Sequence, residues 1–178
     1  MTQPFYKTLL GDEFHQLPEK IQEMHVGVRR AEGKADIKRG TSVLAKLICA
    51  IARVPNSGEG VDIITTFEPV ERGERWTRSF QGQEFSTVLQ VDTTNDGPTL
   101  TEKFGPFVFG LRVIAHEHGI DLIPESVKLW AIPVPKMLCP EAIGLERVKN
   151  DLYHFDVSVR VPLVGEIVSY DGYLSPVA

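Results

Sequence analysis

The stretch that decides the fold runs from residue 73 to residue 92 and reads GERWTRSFQGQEFSTVLQVD. Apolar and polar side chains alternate on both sides of Gln81-Gly82, a dipeptide that is typical of a tight hairpin turn. Because successive side chains of a strand point to opposite faces, this pattern predicts two antiparallel strands that share one apolar face.

The same period-two pattern continues over the rest of the chain, and turn residues separate the runs. Connections this short force neighbouring strands to be antiparallel, since a parallel pair needs a crossover of about a dozen residues. Nine strands are expected, at 61–71, 74–80, 84–92, 98–104, 107–117, 120–132, 142–149, 153–163 and 166–174. A meander of that length with one apolar face curls into a half-barrel or a barrel.

The N-terminal third of the chain has a helical character. One helix is expected over residues 12–27, and a second over 42–54, with Thr41 or Ser42 as its N-cap. The second helix has a continuous apolar face, which we expect to pack on the sheet or to close the barrel. The charged segment between the helices, residues 33–40, is read as a solvated turn, with a surface strand as the alternative.

These elements predict an α+β protein in which a long antiparallel up-and-down meander of about nine strands carries two N-terminal helices packed on it or capping it. A chain of 178 residues with 42% apolar residues can bury one sizeable core. We therefore expect a single domain over residues 1–178, helical over about 12–55 and β over about 61–175.

The charge balance narrows the range of partners. The net charge is −5 and the pI is about 5.5, so the chain lacks the excess of cations that nucleic-acid binding requires. The 42–54 helix is shorter than the roughly twenty residues that span a bilayer, so no transmembrane segment is expected. No secretory signal is recognisable at the start, which predicts a cytoplasmic protein. An exposed edge of an open meander would favour pairing into a homodimer.

Two strands place a charge among core-facing residues. Trp76, Arg78 and Phe80 share one face of their strand, and Glu102 lies between Leu100 and Phe104 on theirs. A lone buried charge costs several kcal/mol, so the two groups either form a structural ion pair or line a cavity where they orient the polar end of an apolar ligand. A third alternative is that Glu102 acts as an acid or base. Phe107 and Phe109 would add to the apolar wall.

Metal and cofactor motifs are weak in this sequence. His116 and His118 share a strand face near Asp121, but they lie at a turn, where a solvated hairpin tip is the simpler interpretation. The two cysteines fit neither a disulfide framework nor a zinc motif, and no glycine-rich dinucleotide loop, Walker loop or nucleophile elbow is present. We therefore predict no metal and no cofactor.

Five segments together resemble an uncharacterised bacterial family of domains of unknown function. They are GKADIKRG, GERWTRSFQGQEFST, TEKFGPFVFGL, IPVPKMLCP and YHFDVSVRVPLVGEIVSYDGYL. The resemblance covers approximately residues 17–176. Members of that family occur alone or fused to the C-terminus of saccharopine-dehydrogenase-like oxidoreductase modules, which implies an oxidoreductase partner as one alternative.

The function expected from the residues is binding of a small hydrophobic or amphipathic molecule, such as a fatty acid or isoprenoid-like lipid, inside the curled sheet. Arg78 and Glu102 would lie near its polar end, and Trp76, Phe80, Phe104, Phe107 and Phe109 among the apolar walls. The two alternatives are an enzyme on the same scaffold that uses Glu102, and an interaction module that docks on an oxidoreductase.

Overall fold

A computed structural model describes residues 5–94 and 97–177 of the chain. Its main feature is a closed antiparallel barrel of ten strands. In chain order the strands are β1 (Arg30–Arg39), β2 (Gly58–Val70), β3 (Gly73–Phe80), β4 (Gln83–Thr94), β5 (Gly97–Phe104), β6 (Phe107–His116), β7 (Gly119–Leu129), β8 (Ile132–Pro133), β9 (Glu141–Lys149), β10 (Leu152–Val161) and β11 (Gly165–Pro176). The two-residue β8 pairs only with the end of β7 and is not one of the ten.

The barrel is closed by pairings at two places. β1 pairs with both β2 and β11, and β7 pairs with both β6 and β9. This arrangement confirms a curled antiparallel meander, and all nine expected strands form. Asn95-Asp96-Gly97 has the residues of a hairpin turn, and this expected turn falls partly on residues outside the described ranges. Closure also removes the free sheet edge on which the expectation of a strand-paired dimer depended.

The tenth strand, β1, lies where we expected a solvated turn, and that prediction was wrong. Its inward face consists of Ala31, Gly33, Ala35 and Ile37, so small residues hide the apolar alternation. At Gly33 an added Cβ would lie 1.8 Å from the carbonyl oxygen of Tyr173 on β11, so only glycine allows the two strands to approach this closely. The protein is accordingly mostly β rather than evenly α+β.

Short helices at the N-terminus fill one end of the barrel. They are α1 (Phe5–Leu10), a 3-10 turn (Gly11–Gln16) and α2 (Glu19–His25), instead of one helix over 12–27. The chain is extended at Leu17 and Pro18, because a residue before proline disfavours the helical region. Apolar side chains from this segment are buried, among them Phe5, Phe14, Leu17, Ile21 and Met24.

The third helix, α3 (Val43–Ile51), lies at the opposite end of the barrel. Ser42 Oγ accepts a hydrogen bond from the Ala45 backbone N–H, which confirms the expected N-cap. The expected apolar face packs only in part: Ala45 and Cys49 are buried and Ile48 is half-buried against the core, whereas the other large side chains point outward. The exposed fractions are 83% for Val43, 55% for Leu44, 55% for Leu47 and 57% for Ile51.

No helix within residues 5–94 and 97–177 combines the length and the apolar character needed to cross a membrane.

Candidate functional site

The barrel encloses an apolar cavity of about 320 Å³. This volume lies at the lower end of the range for sites that enclose one small organic molecule. Inward-facing side chains of β3, β4, β5, β6, β7, β9, β10 and β11 line it, and almost all of them are hydrophobic. The alternation along each strand explains the lining, because the same face that would fill a smaller barrel here surrounds open space.

Six of the seven residues that we predicted for a ligand site line this cavity. They are Trp76, Arg78, Glu102, Phe104, Phe107 and Phe109. Phe80 does not line it: this side chain is 1% exposed and packs behind the wall, with its ring centroid 5.9 Å from that of Phe85 and 5.8 Å from that of Tyr170. Phe85 and Tyr170 take the place on the cavity wall that we had assigned to Phe80.

Arg78 has no carboxylate partner within ion-pair distance in the described part of the chain. Its Nη1 donates to Thr87 Oγ1 at 3.2 Å, and its guanidinium carbon lies 5.0 Å from the Trp76 ring centroid and 5.6 Å from that of Phe85. Glu102 lines the same cavity but lies more than 4.0 Å from the guanidinium. Of the alternatives left open by the sequence, two separate charged groups on a cavity wall describe the arrangement, and a direct ion pair does not.

A buried polar pair joins the N-terminal helices, residues 5–25, to the barrel wall. We call these residues the plug. His25 Nε2 on α2 lies 2.6 Å from Glu146 Oε2 on β9, and the two side chains are 1% and 5% exposed. The ring of Tyr6 stacks on His25 at 3.9 Å between centroids. Such a pair holds the plug in place, since separating it would leave a buried charge or polar group without a partner.

Sequence reasoning missed this group. Residues 25 and 146 are 121 positions apart, and no local pattern connects them. The one available signal was the inward face of β9, where Ala142, Gly144 and Glu146 alternate with larger residues. The opposite face carries the larger apolar side chains Ile143 and Leu145, so the alternation alone does not point to the inward face.

Near the plug a smaller cavity of about 50 Å³ adjoins the large one and shares Trp76 and Arg78 with it. Thr65, Glu146 and Tyr153 also line it. Within the described residues the buried Thr65 hydroxyl has no hydrogen-bond partner, so the small cavity contains one unsatisfied polar atom. Burial raises the pKa of Tyr153 well above its ordinary value, and the charge on Glu146 raises it further.

The other end of the large cavity reaches the surface. Ile48 of α3 and Ala52 directly after it line it on one side, and Val134 and Leu138 of the segment between β7 and β9 line it on another. Leu138 is 44% exposed, so the lining continues to solvent there. The proline-rich segment IPVPKMLCP therefore lies over the barrel mouth.

The histidines considered for a metal site form a polar hairpin instead. His116 Nε2 lies 3.1 Å from Asp121 Oδ1, and Arg147 Nη2 also donates to that oxygen. Burial raises the pKa of the Asp121 carboxyl, but the hydrogen bonds from Arg147 and His116 outweigh that effect, and the pKa lies below its ordinary value. No group of three or more metal-ligating side chains is found over 5–94 and 97–177.

The fold and the cavity define a class of protein: a closed antiparallel barrel with a hollow apolar interior that opens at one end. Residues 17–174 match a family described as a domain of unknown function (DUF4166). Because this match covers most of its length, the chain belongs to that family. Neither a curated protein nor a solved structure matches the chain.

Proposed function

We propose that the protein binds one small hydrophobic or amphipathic molecule inside the barrel, with its apolar chain in the large cavity and its polar end at Arg78. The observation that carries the proposal is the cavity itself: about 320 Å³ of apolar space that contains one unpaired guanidinium and one carboxylate. A few polar groups that converge on a mostly apolar pocket are typical of sites that bind and orient a ligand.

The position of Arg78 supports one orientation of the ligand. Arg78 contributes to both the large cavity and the small one, so it marks the inner end of the apolar space. Its donors favour a ligand whose terminal group carries an accepting oxygen, and Glu102 favours one that also donates a proton. The shared chemistry is an oxygen at the end of a single apolar chain, which both a fatty acid and an isoprenoid-like alcohol provide.

The test uses cis-parinaric acid, a fatty acid whose fluorescence rises in apolar surroundings. Trp76 lies on the cavity wall, so bound parinaric acid quenches its emission by energy transfer. We expect saturable binding of one molecule per chain. Competition by hexadecanoic acid and by hexadecanol distinguishes the two end groups, since the stronger competitor carries the group that Arg78 and Glu102 recognise.

The decisive variant is Arg78→Met, which keeps a long side chain and removes the donors. Hydrogen bonds to charged groups contribute about 1.5–3 kcal/mol, so the affinity for parinaric acid should fall about 10- to 100-fold. Arg75→Met on the outward face of the same strand is the matched control, because Arg75 is exposed and pairs with Glu68 at 3.8 Å on the surface. Equal affinity of Arg78→Met and wild type would defeat Arg78 as the anchor.

The enzyme alternative places the same ligand next to Glu102 as an acid or base. It predicts that Glu102→Gln retains parinaric acid and that a bound molecule recovered from wild type differs chemically from one recovered from the variant. Identical extracts would leave binding as the function. The proposal assigns the protein to the cytoplasm and treats residues 1–178 as one domain, and an oxidoreductase partner remains the alternative implied by fused relatives.

A further inference from the structure

Exposed apolar side chains surround the cavity mouth on three separate segments. The first is the outward face of α3, with Leu44, Leu47 and Ile51. The second is the segment between β7 and β9, where Trp130 is 74% exposed and Met137 is 78% exposed. The third is the β10–β11 connection, where Leu163 is 97% exposed. We call residues 42–55, 130–140 and 161–165 the mouth rim.

Two of these side chains, Trp130 and Leu163, lie at backbone positions with positive φ, which are energetically unfavourable for bulky residues. Trp130 and Ala131 occupy the central positions of the β7–β8 turn with φ of 46° and 70°, and Leu163 has φ of 67°. Bulky residues are disfavoured there, where Asn and Gly are favoured. At the plug end, the corresponding positions of the β9–β10 turn are Asn150 and Asp151. Such a departure from turn chemistry is typical of positions used for function.

The charges on the mouth rim are all of one sign. Its three segments contain Lys46, Arg53 and Lys136 and no acidic residue, although the whole chain has 24 acidic residues and a net charge of −5. All three cations are exposed. Exposed Glu141 and Glu166 border two of the segments, but the segments themselves are basic and apolar, which complements a surface that is negatively charged and apolar beneath the charge.

We propose that the mouth rim docks on an anionic lipid bilayer, with the barrel mouth facing the membrane. Trp130 then lies at the level of the head groups, where tryptophan is enriched, and Lys46 and Lys136 reach lipid phosphates. The use of docking rests on the proposed ligand-binding function, because a ligand would pass between the bilayer and the cavity through the mouth. Docking itself is measured without any cavity ligand.

Two features favour a bilayer over a protein partner or a second copy. Lysine is depleted in protein interfaces, whereas here two lysines alternate with the exposed apolar residues. The exposed apolar side chains of the rim come from three chain segments around an opening, two of which are joined by the hydrogen bond from Ser42 Oγ to the Val164 carbonyl oxygen. Such side chains insert between lipid head groups without needing a complementary shape.

The first experiment uses Trp130 as the reporter. The chain has two tryptophans, so Trp130 is the sole one in Trp76→Phe. Vesicles of equal parts phosphatidylcholine and phosphatidylglycerol should shift the Trp130 emission to shorter wavelength, and lipids brominated on the acyl chains should quench it. Vesicles of phosphatidylcholine alone should do so more weakly. An unchanged spectrum with both vesicle types would overturn the proposal.

Matched variants in the full chain separate docking from folding, with co-sedimentation as the readout. A cation near an anionic surface contributes about fivefold to binding, so Lys46→Gln with Lys136→Gln should weaken binding about 25-fold. Lys149→Gln at the plug end is the charge control. Trp130→Asn with Ala131→Gly restores the favoured turn, so it should fold at least as well as wild type yet bind less. Val26→Asp, at an exposed apolar residue beside the plug, is its control.

The outcomes distinguish this proposal from the proposed function. Equal losses in the rim variants and in the plug-end controls would overturn docking by the mouth rim. A dimer in light scattering that the rim variants dissociate, without vesicle binding, would assign the rim to a second copy. Parinaric acid binding without vesicle binding would reject docking and retain the ligand site. Vesicle binding without parinaric acid binding would reject the ligand site and retain docking.

Discussion

Replacement of Arg78 by methionine should change stability little, whereas replacement of His25 by alanine should change it greatly. Arg78→Met loses one charge-assisted hydrogen bond to Thr87 and the contacts with two aromatic rings, together about 2–5 kcal/mol. It also relieves the partial desolvation of a half-buried charge without a carboxylate partner, a cost below the several kcal/mol of a fully buried ion. The two contributions oppose, and the net change should stay within about 1.5 kcal/mol of zero.

His25→Ala has no such compensation. Glu146 is 4% exposed and would lose its 2.6 Å contact, and the ring of Tyr6 would lose its stacking partner. Removal of one member of a buried pair costs about 3–5 kcal/mol. His15→Ala, at an exposed position in the same N-terminal segment, is the control and should cost less than about 0.5 kcal/mol.

Urea unfolding followed by far-UV circular dichroism measures both changes, with the slope of each transition as the check on two-state behaviour. A loss for Arg78→Met as large as that for His25→Ala would refute the reasoning. It would mean that the guanidinium holds the barrel together rather than serving the cavity.

Three further predictions concern the cavity and the titratable groups. Val159→Phe places a ring in the 320 Å³ cavity without overpacking, so parinaric acid binding should be lost while the free energy of unfolding changes by less than about 1 kcal/mol; a loss of several kcal/mol would show a filled interior. Burial raises the pKa of three of the four tyrosines, namely Tyr6, Tyr153 and Tyr170. Spectrophotometric titration should therefore show these three ionising only with alkaline unfolding. Their contribution to the free energy of unfolding is lost as pH rises through the folded-state pKa. The pKa of Asp121 is lowered in the folded state. The stability that Asp121 contributes is therefore present above the ordinary pKa of 3.8 and is lost as pH falls through the lower folded-state pKa. Wild type and Asp121→Asn should accordingly differ in melting temperature at pH 7 and converge in acid.

The strands could be predicted because their alternation is a local property. Trp76 and Phe80, or Leu100 and Phe104, differ so clearly from their neighbours that both the strands and their inward faces followed from the sequence, and the inward charges Arg78 and Glu102 followed with them. A strand was not the favoured prediction for β1, because its inward face is mostly alanine and glycine, which carry little hydrophobic signal. The choice between a half-barrel and a closed barrel stayed open for the same reason, since β1 is the strand that joins β2 to β11.

The remaining errors come from surroundings that no local pattern records. The apolar face of α3 predicted burial, but burial needs a surface to pack against, and the strand ends beside α3 cover Ala45, Cys49 and part of Ile48. The His25–Glu146 contact joins two distant segments, so neither residue signals the other. The size of the cavity depends on barrel closure, which sets the interior volume.

The most direct test of the central claim, a hollow interior that holds one apolar molecule, is native mass spectrometry of the freshly purified protein. The same sample is measured again after incubation with excess hexadecanoic acid. The account predicts one bound molecule per chain, either carried through purification and identified by organic extraction or taken up from the added fatty acid. A bare protein mass in both spectra would contradict it.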